Sequence, residues 1–283
     1  MRRLLYNDNM INTFERFEQQ GIKIDKERAL TYSKLSCPFG CTYCFVDEMN
    51  QEQSKGVVYL DDQQLELLKN LPEQVKLIML GCDTEFFQNK KEALEILEKL
   101  SELGKDISVI TKLPLPEEYI ISLLEIYNKI RKNGNIFSFS TSITCISAPM
   151  LAKYEPGVPS PEKRIETLSS VNKKGIPTTV AIRPLLPDIT NEEILDIVNK
   201  TKDYCFGYYS GPLYLKEERI KLLLPEHESK TGKENQPHWM LEGNQYQALE
   251  KDGQMEFLAS VVEKSGKEFF EGAADAVEYL RKK

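Results

Sequence analysis

Histidine is scarce in this sequence, and a long apolar run is absent. Only two histidines, His227 and His238, occur among 283 residues, which argues against general acid–base chemistry by histidine. No stretch of 18 apolar residues occurs, so no segment is predicted to span a membrane. Lys and Arg number 37 against 44 Asp and Glu. The net charge of −7 argues against binding along extended duplex DNA, because the phosphate lattice is bound mainly by clustered cations.

The rest of the composition is typical of a folded protein with a full core. Hydrophobic residues make up 41% and charged residues 29%, which excludes a mainly disordered chain. The length allows one large domain or two small ones. Arginines at positions 2 and 3 are followed almost at once by polar residues, so residues 1–9 do not read as a signal peptide. We therefore predict a cytoplasmic protein whose six cysteines stay reduced and need an explanation other than disulfides.

Strand and helix patterns alternate from about residue 30. The predicted strands are 30–36, 75–81, 107–111, 136–143, 176–183 and 204–210. Helical patterns over 61–71, 92–103, 117–132, 161–174 and 191–202 lie between them. This alternation predicts an α/β fold with a parallel sheet and right-handed crossovers. Periodicity alone does not choose between an open doubly wound sheet and a barrel.

The chain is predicted to divide into three segments. Residues 1–29 form a lead-in, residues 30–215 form the α/β core, and residues 216–283 form an extension that covers or flanks the core. The helical pattern lapses in the polar stretch 226–236. A final helical pattern begins near Met255, is interrupted near Gly266, and continues to the lysine-rich end.

Three of the six cysteines lie within eight residues, directly after the first predicted strand. Cys37, Cys41 and Cys44 have the spacing CxxxCxxC. Three thiolates on a short loop can hold three irons of a [4Fe–4S] cubane and leave the fourth iron open to another ligand. The alternative is a zinc site in a metal-binding regulatory module, which would need a fourth ligand. Since both histidines are distant in the sequence, the spacing favours the cluster.

This loop, with aromatic residues at Tyr43 and Phe45, resembles the radical S-adenosylmethionine (radical SAM) superfamily. The resemblance implies a partial (β/α)6 TIM-type barrel with parallel strands. It also implies a [4Fe–4S] cluster on the three cysteines, with SAM bound to the open iron. One electron from a partner such as flavodoxin or ferredoxin would lead to cleavage of SAM into methionine and a 5′-deoxyadenosyl radical. That radical would remove a hydrogen atom from the substrate.

Four later segments resemble the spore photoproduct lyase-like branch of that superfamily. They are GCDTEFFQ at 81–88, ITK at 110–112, EPGVPSP at 155–161 with Arg164, and RPLLP at 183–187. All lie at or just beyond the predicted carboxyl ends of strands, where α/β barrels carry their sites. The resemblance implies hydrogen abstraction from a nucleobase, a nucleotide or another small substrate. Modification of a peptide or a small metabolite is the alternative.

Eight side chains at these positions are expected to bind SAM or a substrate group: Tyr43, Phe45, Thr84, Glu85, Lys112, Ser140, Ser142 and Arg183. By the resemblance, Phe45 packs near the SAM adenine, and Thr84 and Glu85 accept from the SAM ammonium. Glu155 and Arg164 are expected to brace their loop rather than to touch the substrate.

The cationic positions have two interpretations. Lys112, with Ser142 or Ser140 as a hydroxyl partner, is expected to bind the SAM carboxylate. Arg183 is expected at the mouth of the barrel, where its guanidinium would bind an anionic substrate group. Ordinary surface charge or an ion pair with a protein carboxylate is the alternative for both.

Cys82 directly follows the second predicted strand. In spore photoproduct lyase a cysteine at the matching place returns a hydrogen atom to the substrate radical, so Cys82 is the candidate catalytic residue. The alternative is a small buried hydrophobic residue, the usual role of a free cysteine. Phe45 stands where the lyase carries a tyrosine, which argues against the same hydrogen relay and against repair of thymine photodimers. Cys145 and Cys205 are predicted to be packing residues.

Overall fold

In the computed structural model, which describes residues 14–31, 37–45, 59–225 and 246–283, an eight-stranded and mostly parallel sheet forms the centre of the fold. The strands among these residues are β1 (Ile22–Asp25), β2 (Arg28–Thr31), β3 (Leu77–Leu80), β4 (Asp106–Thr111), β5 (Phe137–Ser142), β6 (Thr178–Ile182), β7 (Gly207–Ser210), β8 (Leu213–Leu215), β9 (Gln247–Leu249) and β10 (Glu268–Phe270). Strands β8 and β9 pair antiparallel in a separate two-stranded sheet.

Helices occur at all five positions where helical patterns predict them: Asp62–Lys69, Lys90–Leu100, Glu117–Lys132, Pro161–Lys173 and Asn191–Thr201. The first begins in a capping box, in which the Asp61 carboxylate accepts from the Gln64 N–H and the Gln64 side chain accepts from the Asp61 N–H. Residues 14–18 are also helical, and the remaining described helices are Ala148–Tyr154, Glu217–Leu223, Gln254–Lys264 and Ala273–Lys282. Among the described helices, none has both the length and the apolar character of a membrane span.

The strand order decides between the two architectures that the sequence leaves open. Strands β2 to β7 are neighbours in chain order, and each pair is parallel. A doubly wound sheet reverses its strand order at a switch point, whereas a barrel continues in one direction. The order here is that of a barrel. The barrel is not closed, because antiparallel β1 and parallel β10 lie at opposite edges of the sheet and do not pair with each other. The predicted partial barrel with parallel strands is therefore confirmed.

The six predicted strands correspond to β2 through β7. Residues 32–36 of the first one lie outside the described residues, as do His227, His238 and the polar stretch 226–236. Strands β1 and β10 extend the sheet beyond residues 30–215, on the two sides of the predicted core. The interruption near Gly266 contains β10, which pairs parallel with β7. The division of the chain into three segments stays a prediction.

The two faces of the sheet differ in chemistry. The outer face is apolar and packs against helices, through residues such as Ile78, Val109 and Phe139. The inner face carries smaller and more polar side chains: Ser108, Ile110, Ser138, Ser140, Thr179, Ala181 and Tyr209. The C-terminal helix, Ala273–Lys282, contacts this side of β4, β5 and β7, and its Ala273 packs with Ala181 and Tyr209. Arg281 forms an ion pair with Asp106 at the start of β4. Small inner residues thus leave room for a helix against the sheet.

Candidate active site

A cavity of about 640 Å³ lies along the inner face of the sheet, and the cysteine loop, residues 37–45, forms part of its wall. The predicted site residues that line it are Cys37, Cys41, Tyr43, Cys44, Phe45, Cys82, Thr84, Glu85, Lys112, Ser142 and Arg183. Ser140 is not among the lining residues. Ser140 is two residues before Ser142 on β5. Its fully buried hydroxyl lies 2.7 Å from the Thr179 hydroxyl. The fold therefore gathers every predicted site residue except Ser140.

The cysteine loop is held by the segment that carries the EPG sequence. The backbone N–H of Thr42 donates to the Tyr154 carbonyl at 3.1 Å, and its hydroxyl donates to the Lys153 carbonyl at 2.9 Å. A Cβ atom at Gly157 would lie 2.3 Å from the carbonyl oxygen of Phe39. Only glycine therefore allows this approach of the two backbones. The 153–157 segment fixes the loop from a position more than a hundred residues along the chain.

The loop thiols differ in exposure, and two backbone N–H groups point toward one of them. Cys41 is buried, and Cys37 and Cys44 are partly exposed free thiols. Burial raises the pKa of the Cys37 thiol, and the backbone N–H groups of Phe39 and Glu85 lower it. Such N–H groups stabilise a thiolate, the form of cysteine that binds metal. Among the described residues, no His, Cys, Asp or Glu side chains are grouped around a point where one metal ion would sit. Ligands of a cubane bind different irons and need no common point.

Glu155 is the centre of a buried ionic network. It is 2% exposed, and its Oε1 accepts from Tyr43 Oη at 2.6 Å, Lys112 Nζ at 2.8 Å and Thr144 Oγ1 at 2.7 Å. Its Oε2 lies 2.9 Å from Nη2 of Arg164, which is fully buried. Burial acts to raise the Glu155 pKa, but the cations of Lys112 and Arg164 outweigh it and lower the pKa to about 2. Glu155 therefore remains ionised and joins the EPG segment to the cysteine loop.

Two residues predicted as SAM contacts belong to this network. Lys112 Nζ donates to Tyr43 Oη and lies 3.6 Å from Cys41 Sγ. Burial acts to lower the Lys112 pKa, but Glu155 and Tyr43 outweigh it and hold that pKa well above its usual range. The ammonium is thus a fixed positive charge beside the Cys41 thiol. Its protein partner is the Glu155 carboxylate, in an ion pair that the sequence alone does not reveal.

Glu85 and Thr84 form the cavity wall after β3. The Glu85 carboxylate accepts from the Thr111 hydroxyl at 2.7 Å and from the backbone N–H groups of Phe87 and Lys112 at 2.9 Å. Burial raises the Glu85 pKa, and these donors oppose the rise. Thr84 is 3% exposed, and its hydroxyl has no hydrogen-bond partner among the described residues. A buried hydroxyl without a partner is costly, so a bound group at this wall would satisfy it.

Cys82 packs against the buried Leu30, in an apolar patch that also contains Met79 and, from the cysteine loop, Cys44 and Phe45. Burial and the adjacent Asp83 raise the Cys82 pKa to about 12. The side chain therefore carries its S–H hydrogen at neutral pH. Cys145 and Cys205 are buried and do not line the cavity.

Residues from distant parts of the chain complete the cavity, and sequence reasoning missed them. They include Arg28 of β2, Tyr214 of β8, the segment Glu271 to Asp275, and Arg281. The helical pattern near the C-terminus is visible in the sequence. Its docking against the inner face has no local signal, because the polar and small residues that receive it lie on other strands.

Residues 35–201 match the family model described as the radical SAM superfamily. The chain belongs to this superfamily. It is a radical SAM enzyme, and the cofactors of the family are a [4Fe–4S] cluster and SAM. Such enzymes require a reductant and act on a substrate. The uncharacterized protein MJ0683 of Methanocaldococcus jannaschii is 24% identical over 207 residues, which cover 70% of this chain and 74% of that relative.

Solved structures with a similar fold include two of spore photoproduct lyase and one of a peptide-binding enzyme. A tyrosine-to-phenylalanine mutant of the lyase has a TM-score of 0.56 at 16% identity, over 84% of this chain and 73% of the lyase. The lyase complexed with dinucleoside spore photoproduct has a TM-score of 0.54 at 15% identity, over 82% of this chain and 71% of the lyase. Streptococcus suis SuiB bound to precursor peptide SuiA has a TM-score of 0.51 at 13% identity, over 72% of this chain and 43% of SuiB. These likenesses show a shared fold, and the chain spans less than half of SuiB.

The residues of the cavity fit the cofactors of the superfamily. Cys37, Cys41 and Cys44 are three thiols on one loop, the donor set that holds a cubane with one open iron. Thr84 lines the same cavity, and its buried hydroxyl has no hydrogen-bond partner among the described residues. When bound, the cluster and SAM supply a carbon radical that abstracts hydrogen atoms. The protein holds the cysteine loop through Glu155 and Gly157, and Cys82 and Phe45 of that loop both pack against Leu30.

Gly157→Ala is expected to push the cysteine loop away from the EPG segment. The added methyl would overlap the Phe39 carbonyl, so we expect a loss of about 1–3 kcal/mol in unfolding free energy and a lower iron content after reconstitution. Gly104→Ala is the matched control. Its Cβ would meet no atom, but its φ of +63° costs alanine about 1–2 kcal/mol. Urea unfolding and iron analysis measure both effects, and equal iron contents in the two variants would contradict the bracing role.

Proposed function

We propose that this enzyme abstracts a hydrogen atom from a nucleobase, a nucleotide or another small substrate, as a member of the spore photoproduct lyase-like branch. The observation that carries the proposal is the common cavity of the cluster cysteines and the Cys82 thiol. Its volume of about 640 Å³ is within the range of small-molecule sites. SAM would share this space, which favours a small substrate over a folded polymer.

The side chains would divide into cofactor contacts and supports. Thr84, Ser142 and Phe45 line the cavity, and we assign them to SAM contacts. Glu85 has three protein donors, so it would present an already oriented carboxylate to the SAM ammonium. Lys112 is paired with Glu155 and lies near Cys41, so it would act on SAM from a position that the protein fixes.

Cys82 would donate a hydrogen atom to the substrate radical. Its raised pKa keeps the S–H bond intact, and homolysis of that bond transfers a proton and an electron together, with no net movement of charge. The transfer leaves a sulfur-centred radical on Cys82, and one electron from the reducing partner together with one proton from water would restore the thiol. The patch with Leu30, Phe45 and Met79 is apolar, which suits a step that involves no net movement of charge.

Anaerobic reconstitution of the wild-type protein tests the catalytic proposal. We expect about four iron and four sulfide per chain, as the cluster formula requires. Dithionite, or reduced flavodoxin or ferredoxin as the donor, should then yield 5′-deoxyadenosine from SAM. One zinc per chain without sulfide would favour the regulatory module instead. Iron and sulfide without SAM cleavage would contradict the enzymatic proposal.

Cys82→Ala tests the donor role. Nucleosides and nucleotides that raise SAM turnover are incubated with the enzyme in D₂O, where the thiol exchanges to S–D. The wild-type enzyme is expected to place deuterium in the product, and Cys82→Ala is expected to lose most of this label. Cys205→Ala, at another buried thiol outside the cavity, should keep it. Mass spectrometry of the product reads the label, and equal labelling by both variants would exclude Cys82 as the donor.

A further inference from the structure

The C-terminal helix begins in the wall of the cavity. Its N-cap is Gly272, with extended backbone and no side-chain capping hydrogen bond. Gly272, Ala273 and Ala274 line the cavity, together with Glu271 and Asp275. The first N–H groups of a helix have no partner within the helix and carry partial positive charge. Small residues at this end therefore leave polar backbone groups close to whatever the cavity holds.

Arg183 reaches the same place from the end of β6. Its Nη1 donates to the carbonyl oxygens of Glu271 at 3.2 Å and Ser210 at 3.3 Å. A Cβ atom at Gly211 would lie 3.0 Å from the guanidinium carbon, and one at Gly272 would lie 3.8 Å from Nη1. The guanidinium thus packs over Gly211 and is tied to the residue before the helix. Nε and Nη2 have no hydrogen-bond partner among the described residues.

A carboxylate lies near Arg183 without a salt bridge to it: a Cβ atom at Gly272 would be 3.7 Å from Asp275 Oδ2 and 3.8 Å from Arg183 Nη1. Arg183 forms no ion pair among the described residues, although Glu271 and Asp275 also line the cavity. The ionisable groups that act on it most are the phenols of Tyr209 and Tyr214, the guanidinium of Arg28 and the Cys82 thiol. Burial lowers the Arg183 pKa, but an arginine remains charged at neutral pH. A half-buried cation that makes no ion pair is costly, and an anion from outside would offset that cost.

We infer that Arg183 and the first turn of the C-terminal helix form a subsite for an anionic group of the substrate, either a carboxylate or a phosphate. This inference rests on the proposed function and specifies its substrate as an anion. The planar guanidinium can donate to two oxygens of either group. Arg183 and Cys82 line the same cavity, so the rest of a substrate held at this subsite would share that cavity with the thiol.

The test uses the reconstituted holoenzyme at low ionic strength, with inorganic phosphate and acetate as separate probes. Binding is followed by thermal shift over a titration of each anion, and SAM affinity is measured in parallel. Arg183→Met is expected to weaken binding of the preferred anion about 10-fold to 100-fold, the worth of a charge-assisted hydrogen bond. Arg131→Met removes the same charge from an exposed helical position and should bind as the wild type does. Arg183→Lys keeps the charge and is expected to retain part of the binding.

The outcomes separate this subsite from other roles of Arg183. Preference for phosphate or for acetate identifies the class of the substrate anion, and either preference supports the subsite. Anion affinity that is equal in the wild-type protein and in Arg183→Met overturns it, as does the lack of any anion effect on the wild type. A fall in SAM affinity as large as the fall in anion affinity also overturns it, because Arg183 would then bind the SAM carboxylate. SAM cleavage by the wild type is scored separately, so failure of the proposed function remains distinguishable.

Discussion

Replacement of any one of Cys37, Cys41 and Cys44 by alanine is expected to remove the [4Fe–4S] cluster and to lower SAM cleavage by more than about 100-fold. Changes in groups that only orient a metal ligand already cost about 10-fold to 100-fold. Loss of a ligand itself should cost more, because three thiols must hold a cluster whose fourth iron binds SAM. The three cysteines share one loop of eight residues, so each alanine leaves two ligands in place.

Iron and sulfide analysis, the absorbance of the reconstituted protein and the yield of 5′-deoxyadenosine measure this effect. Cys205→Ala is the matched control, because Cys205 is a buried free thiol that does not line the cavity. It should bind the wild-type amount of iron. A single variant among the three loop cysteines that keeps about four irons and wild-type SAM cleavage would refute the ligand assignment.

Glu155→Ala is expected to lower the unfolding free energy of the apoprotein by about 3–5 kcal/mol. The substitution leaves Arg164, which is fully buried, without its carboxylate, and removes the partner of Lys112. The hydroxyls of Tyr43 and Thr144 lose an acceptor as well. Since Tyr43 belongs to the cysteine loop, the variant should also bind less iron. Urea denaturation of the apoprotein, followed by far-UV circular dichroism, gives the stability change.

Glu98→Ala is the control for this prediction. Glu98 pairs with Lys129 on the surface, where an ion pair contributes at most about 1 kcal/mol. Glu155→Gln, which keeps an acceptor for Tyr43 but removes the charge, should lie between the two. If Glu155→Ala is no more destabilising than Glu98→Ala, the buried network does not hold the loop.

Local patterns were sufficient to predict the six parallel strands, the five helices between them and the cysteine loop. Strands and helices have their own periods, so the positions of β2 to β7 and of the five intervening helices follow from short windows. The cysteine spacing is also local, because ligands of one cluster on one loop must be close in the sequence. For the same reason, Glu85, Lys112 and Arg183 could be placed at strand ends before the order of the strands was known.

The partners of these residues were not predictable in the same way. Ser140 and Ser142 have the same strand face and the same chemistry, and only their depth along β5 places Ser142 in the cavity. The Lys112 ammonium looks available in the sequence, yet Glu155 pairs with it across 43 residues. This pairing joins the end of β4 to the residue that follows the helix Ala148–Tyr154, and the two meet only after the sheet forms.

By itself, the sequence determined that this is an α/β protein with a CxxxCxxC cysteine loop and with charged side chains at the ends of strands. Each of those signals lies within a few consecutive residues. The tertiary structure decided that the sheet winds as a partial barrel, that Glu155 braces the cysteine loop, and that the C-terminal helix meets Arg183 in the cavity. The contact between Arg183 and Glu271 spans 88 residues. Contacts of this kind depend on packing between distant elements, which no local pattern encodes.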